Sequence, residues 1–574
     1  MDSLPQEMID RISGYLPYND LKNTLLVSRR FSHAAERESG AFSRFDLNGA
    51  NADNFLTVYS TRRWRYLRHV EFRTHLHPLP AIVNDPDICY ERPEELREWD
   101  IRFTRQIKFL FDTIARVEDK AKEYGPGRLQ LTINTPSRLP LWDWCMRREY
   151  IGWRVHLLSA EKLPQLYCVR SLFVRNPTSE HLYEEGDATI VKLDLRVLID
   201  LSGKLPNLES LKCKLGMCEW TRASWDDRVS DENLGQYTRD WDGPRRDSRN
   251  GFASALQEKY DLGLLPPSLR SVDLDFLYPW MEVYYADRRD PLANMVEPLL
   301  HDHFSSSLRL LSQQLRRMYV RLVADATLFW PNEKNSSTPS WPNLESLEVV
   351  FCPASPSGLW YFHGPEGEGH LKPLPTTISP TTSYPPLSQS SGDCQCGRIV
   401  MRSSIDNYVI LDSQFHVIPT DEMMIPFLTG FAKAAATMRN LREVALWGIL
   451  LNAAKDTISE YRDRYGQASV DCVQQTEEWL AWGLAYAAPG GRVLHASPGT
   501  QNAAFRQLWW HVGNWRPSEE LYALMRRVGG GGDEEELVEY WHHDRYRGGL
   551  VSLDVFKTSE MFGDSDEDYP KWSF

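Results

Sequence analysis

Seven times between residues 67 and 446 the chain returns to one short pattern: an apolar residue, a second three positions on, and a third two positions after that. The copies are Leu67, Val70, Phe72; Val169, Leu172, Val174; Leu208, Leu211, Cys213; Leu269, Val272, Leu274; Leu315, Met318, Val320; Leu344, Leu347, Val349; and Leu441, Val444, Leu446, with Leu129–Ile133 a weaker copy. The last two positions keep the period of a strand that buries alternate side chains. Several copies share a lead-in (LPNLESLKC, LPPSLRSVDL, WPNLESLEV), which marks repeats of one unit. Helical stretches lie between them at 96–118, where Leu110, Ile114 and Val117 make an apolar side, and at 190–206 and 425–440. Strand and helix in alternation predict stacked parallel strands with helices outside, a horseshoe-like solenoid whose units bury their apolar faces only against each other. A compact α/β domain with recurrent strand edges is the alternative.

The copies stand roughly thirty to nearly a hundred residues apart, whereas regular leucine-rich repeats keep about 20–29. The expected fold is therefore α/β: a small helical N-terminal segment, then an irregular leucine-rich-repeat-like solenoid with insertions. One insertion spans 219–250, polar and aperiodic; the other, 372–393, is dense in Pro, Ser and Thr and reads as a disordered loop with sites for phosphorylation. The repeat domain is expected over 60–528, followed at 529–574 by a Gly hinge (Gly529–Gly532) and a mobile acidic, aromatic tail. Trp479, Trp482, Trp509, Trp510, Trp515 and Trp541 crowd this end, either as core residues capping the solenoid or as the lining of a groove.

The N-terminus reads as a helical hook. Met8, Ile12 and Leu16, with Ile9 beside them, form an apolar stripe on a helix starting near Pro5; Pro17 stops it, Asn19 or Asp20 caps a second helix bearing Leu21 and Leu25, and Ser28 caps a third. Three such helices are too small to fold alone, so the stripe packs on the following domain or on a partner. The order Leu4-Pro5, Glu7, Ile9, Ile12, Leu16, Asp20-Leu21, Val27-Ser28, Arg30-Phe31 resembles the F-box, by which substrate receptors of cullin-RING ubiquitin ligases grip a Skp-family adaptor. The resemblance covers residues 1–47 and lacks the Trp that many members carry near the motif's end, where Phe42 or Phe45 could stand in. It implies that Leu4, Pro5, Ile9, Ile12, Leu16, Leu21, Leu25 and Val27 divide between the motif's own core and the adaptor surface. LFWPNEKN, SWPNLESLEV, GLWYFHGPEG and HVGNWRPSEELYALM, spread over 328–525, resemble fungal F-box proteins with a degenerate leucine-rich region.

Composition narrows the alternatives. A net charge of −14 disfavours a general nucleic-acid binder, and the Arg62, Arg63, Arg65, Arg68 run reads as a solvated face. No signal peptide or membrane-length apolar run stands out, so a soluble intracellular protein is expected. Nine scattered cysteines fit a reducing compartment, and the pair Cys394 and Cys396 lacks a second ligand pair, His370 and His416 being only distant candidates. No phosphate loop, Gly-x-Ser-x-Gly elbow or His-Glu-x-x-His occurs, and His542, His543 and Asp544 read as a surface group. No cofactor, metal or catalytic residue is expected. The resemblance implies a non-catalytic receptor that binds a Skp adaptor, through it a cullin, and an unknown protein substrate. A scaffold that keeps the adaptor without ligase activity, and an enzyme with an F-box recruitment motif, are the competing functions.

Overall fold

Each copy of the pattern becomes a strand of one sheet. The computed structural model describes residues 4–76, 93–138, 154–177, 189–215, 242–277, 292, 294–332, 338–364, 418–453, 477–491, 504–530, 536–542, 550–552 and 556. Three short helices, α1 (Gln6–Gly14), α2 (Tyr18–Thr24) and α3 (Arg29–Glu38), open the chain. Then β1 (Arg44–Leu47), β2 (His69–Leu76), β3 (Leu129–Arg138), β4 (Val169–Arg175), β5 (Ser210–Lys214), β6 (Ser271–Asp275), β7 (Arg317–Leu322), β8 (Ser346–Phe351) and β9 (Glu443–Ala453) lie side by side in chain order, every neighbouring pair parallel. β10 (Glu477–Ala487) runs antiparallel to β9, β11 (Arg506–His511) antiparallel to β10, and β12 (Leu537–Trp541) parallel to β11. β13 (Val551–Ser552) pairs with β10 beyond the end of β11.

Register keeps the repeat's apolar positions in line. Leu47, Phe72, Ile133, Val174, Cys213, Leu274, Val320, Val349, Leu446, Leu484, Trp510 and Trp541 are successive partners across the whole sheet. A slip of one residue on any strand would turn its apolar set to the other face, so the buried face fixes the register. The helices α4 (Ala52–Tyr59), α5 (Pro93–Lys120), α6 (Arg196–Ser202), α7 (Asp242–Asp261), α8 (His303–Ser312), α9 (Asp421–Thr437) and α10 (Glu519–Met525) feed the same core through Phe55, Leu110, Leu198, Phe252, Leu308, Phe427 and Leu521. They cover one face of the sheet. The chain is thus mixed α/β, with a mostly parallel sheet following an N-terminal helical segment.

The antiparallel end departs from the expected stack. On β10, Leu480, Trp482, Leu484 and Tyr486 enter the main core, while Ala481, Ala485 and Ala487 face a second buried layer on the opposite side of the sheet. Gly483 lies between them, where a Cβ would overlap Leu446 O and the Trp447 side chain. Gly483→Ala is therefore expected to push β9 and β10 apart and cost about 1–3 kcal/mol, read as a lowered denaturant midpoint; an unchanged midpoint would mean that the contact relaxes freely. Trp482 and Trp510 are core residues, in line with the capping alternative, and Trp509 stacks on Tyr540 in the second layer.

Several expected boundaries shift. Arg44–Leu47, inside the N-terminal motif as drawn, is the first strand of the sheet. Residues 242–250 of the first insertion are the opening of α7. Beyond 528 the chain does not leave the domain: β12 and β13 belong to the same sheet, and Leu550, Val551 and Phe556 are buried. Gly529 does not read as a hinge either. It sits at φ 80° against the Tyr486 hydroxyl, where no other side chain fits. The 372–393 insertion, Cys394, Cys396, His370, His416, His543 and Asp544 lie outside the described residues.

Candidate docking surface

The hook has a small core of its own. Ile9 on α1 packs with Phe31 and Ala34 on α3, and Leu4 closes one side. Pro5 occupies the cap position before α1, and Pro17, rather than Asn19 or Asp20, the one before α2. Ser28 caps α3 as expected, its hydroxyl accepting from Phe31 N at 3.4 Å. Polar bridges tie α1 to α3: Arg37 Nη1 reaches Asp10 at 2.9 Å and Arg30 Nε donates to Gln6 Oε1 at 3.2 Å.

α3 is also clamped to the sheet domain. The buried Glu36 carboxylate takes Arg62 on one oxygen and Arg63 on the other, each at 2.6 Å, and Arg63 lies over the Phe42 ring at 4.2 Å. Tyr66 OH donates to His33 O at 3.3 Å. The Arg62 and Arg63 pair, expected as a solvated face, thus fixes the hook's attachment, and Phe42 packs at this joint.

With α3 occupying one side of α1 and α2, their remaining apolar residues point outward. Met8, Ile12, Tyr15, Tyr18, Leu25, Leu26 and Val27 are seven of the thirteen large hydrophobics exposed among the described residues, all within twenty positions; Leu26 is 92% and Tyr15 77% exposed. An apolar concentration of this kind on a monomer marks an interaction site. Of the expected site residues, Leu4, Ile9 and Leu21 turn inward, Pro5, Ile12, Leu25 and Val27 outward, and Leu16 is half-buried. Tyr15, Tyr18 and Leu26 join the surface without having been singled out; Leu25-Leu26-Val27, three apolar residues where a two-turn helix ends, was the available signal.

Among the parallel strands, the sheet face away from the helices carries a polar network. Glu71 on β2, 1% exposed, receives Asn134 at 2.8 Å, Arg175 at 3.2 Å and Arg44 at 2.5 Å. Burial alone would raise its carboxyl, but the Asn134 hydrogen bond and the two guanidinium groups prevail and hold it below the ordinary glutamate value. A lowered carboxylate contributes stability that is present above the unfolded-state pKa and lost as pH falls through the folded value. The urea midpoint should therefore fall on acidification below about pH 5, and Glu71→Gln should flatten that limb; parallel pH profiles for the two proteins would contradict the assignment. Further along, Arg321 on β7 grips Asp275 on β6 with both ends of its guanidinium, Nε donating at 2.9 Å.

No protein-family model matches the chain, and no curated protein matches its sequence. Among the described residues no cluster of His, Cys, Asp or Glu could hold a metal ion, and no helix is long and apolar enough to cross a membrane.

Proposed function

We propose that the chain is a substrate-recognition subunit of a Skp-cullin-F-box type ubiquitin ligase. The N-terminal hook docks on a Skp-family adaptor and, through it, a cullin, while the sheet domain, an irregular leucine-rich-repeat-like solenoid, holds a protein substrate. The observation that carries this reading is the cluster Met8, Ile12, Tyr15, Tyr18, Leu25, Leu26 and Val27, exposed along α1, α2 and the turn that follows α2 in a hook whose α3 is locked to the rest of the chain. Strands in sequential order with helices on one face favour the solenoid. Such a receptor makes no bonds itself: it raises the effective concentration of a target lysine near the charged ubiquitin carrier. Affinity purification of the full chain from cells, with adaptor and cullin read by mass spectrometry, tests it. Both are expected with the unaltered chain and neither with Ile12→Asp/Leu26→Asp; adaptor without cullin would select the scaffold, and neither partner would end the reading.

A further inference from the structure

Directly after the first apolar residue of the repeat, the seven copies carry Arg68, Arg170, Glu209, Arg270, Arg316, Glu345 and Arg442: five arginines, two glutamates and no lysine. The fold turns that sequence position into a line. From Arg170 O onward, the amides of Glu209, Arg270, Arg316, Glu345 and Arg442 each donate to the carbonyl of the member before, at 2.7–3.0 Å. The row thus crosses six neighbouring strands, β4–β9, at the edge where they begin.

This edge is open. Arg68, Arg270, Arg316 and Arg442 are exposed, as is Arg317, the next residue on β7. The two glutamates answer only part of the charge: Arg170 meets Glu209 at 3.5 Å and Arg316 meets Glu345 at 3.8 Å, long pairs at the surface that gain little. Glu443, beside Arg442, makes no ion pair with it. Among the described residues no carboxylate lies within ion-pair distance of Arg68, Arg270, Arg317 or Arg442. On a chain of net charge −14 this local excess stands out.

We propose that this row is the docking edge for an extended acidic segment of the captured protein, whose carboxylates are set against Arg270, Arg316, Arg317 and Arg442. Length, chemistry and spacing select a peptide. From Arg170 to Arg442 the row covers five strand spacings, about 24 Å at ~4.8 Å each, which about seven extended residues span. All its cations are Arg, whose planar fork takes a carboxylate on two donors. Glu209 and Glu345 interrupt the row and would repel an unbroken run of phosphates, whereas a peptide can set uncharged residues opposite them. Position fits as well: Arg68, in line with the row on β2, stands at the hook's joint, its amide donating to Ser43 O at 2.7 Å near the Arg62 and Arg63 clamp on Glu36. The proposal rests on the receptor reading for the source of the segment; the edge and its charge do not depend on the adaptor.

Fluorescence anisotropy with the full chain tests it, using a labelled peptide of repeating Glu-Asp-Gly, its Gln-Asn-Gly counterpart of equal length, and an oligothymidylate. The acidic peptide is expected to bind saturably and the neutral one not. Arg270→Gln/Arg317→Gln/Arg442→Gln, which alters three exposed side chains, should weaken the acidic peptide by about tenfold or more, since each charge-assisted contact is worth more than a neutral one. Arg105→Gln/Lys108→Gln/Arg196→Gln removes as many exposed charges from α5 and α6 and should leave binding unchanged, with the unfolding midpoints of both variants measured alongside. Equal weakening by the two variants, no binding of the acidic peptide, or tighter binding of the oligothymidylate would overturn the proposal. No adaptor is present in this assay, so its failure leaves the adaptor contact standing, and loss of the adaptor contact leaves its result unaltered.

Discussion

Replacing Asp302 with alanine is expected to cost about 3–5 kcal/mol of folding stability, the range for removing one partner of a buried ion pair. Asp302 caps α8, its Oδ2 accepting from Ser305 N at 3.0 Å and Ser305 Oγ at 2.6 Å, and the same oxygen holds Arg249 of α7 at 2.5 Å. Arg249 is almost fully buried, reaches Val323 O at 3.1 Å and lies over Phe304 at 4.5 Å. The carbonyl contact and the ring face do not replace the carboxylate, since neither neutralises a charge taken out of water. The backbone ties of Asp302 to Asp325 and Thr327 survive the substitution, so the loss isolates the side chain. Denaturant unfolding gives the number. The double variant Asp302→Ala/Arg249→Met should recover much of it, since an apolar pair of similar volume is often neutral; a single variant within 1 kcal/mol of the unaltered protein would contradict this role.

The second large effect concerns binding. Ile12→Asp/Leu26→Asp should weaken adaptor affinity at least about a hundredfold while leaving folding intact. Each exposed side chain gains about 1.5–3 kcal/mol when covered, and a carboxylate in its place must be desolvated without a partner. Both positions lie outside the hook's core of Ile9, Phe31 and Ala34 and reach solvent, so a charge there stays hydrated in the free chain. Ile9→Asp is the informative contrast, because it also abolishes binding but by unpacking α1 from α3, with a loss of helical signal that the outward pair does not share.

How far these features could be read beforehand depended on where each side chain's neighbours come from. The repeat was legible because its own alternation decides burial: all seven copies became strands, and the helical periodicity around Leu110, Ile114 and Val117 became α5. β10 was hidden because both its faces are buried, which erases the alternation that marks a half-buried strand. The start of α7 escaped for a similar reason: 242–250 is polar, and the apolar stripe begins only at Phe252. In the hook, Ile9 and Ile12 lie about 60° apart on one helix, yet the first is fully buried and the second 39% exposed. That split follows from where α3 sits, which no local pattern in α1 contains. Leu21 and Leu25 divide likewise, because α2 ends at Thr24 and carries Leu25 past its last turn.

Calorimetric titration of a purified Skp-family adaptor into the full-length chain measures the central claim most directly. A saturable one-to-one complex with a negative heat-capacity change is expected, the signature of apolar surface leaving water, and its disappearance in Ile12→Asp/Leu26→Asp, with unfolding midpoint unchanged, places the contact on α1 and the turn after α2. A Kd weaker than about 100 µM for the unaltered chain, or a complex that survives both aspartates, would contradict it.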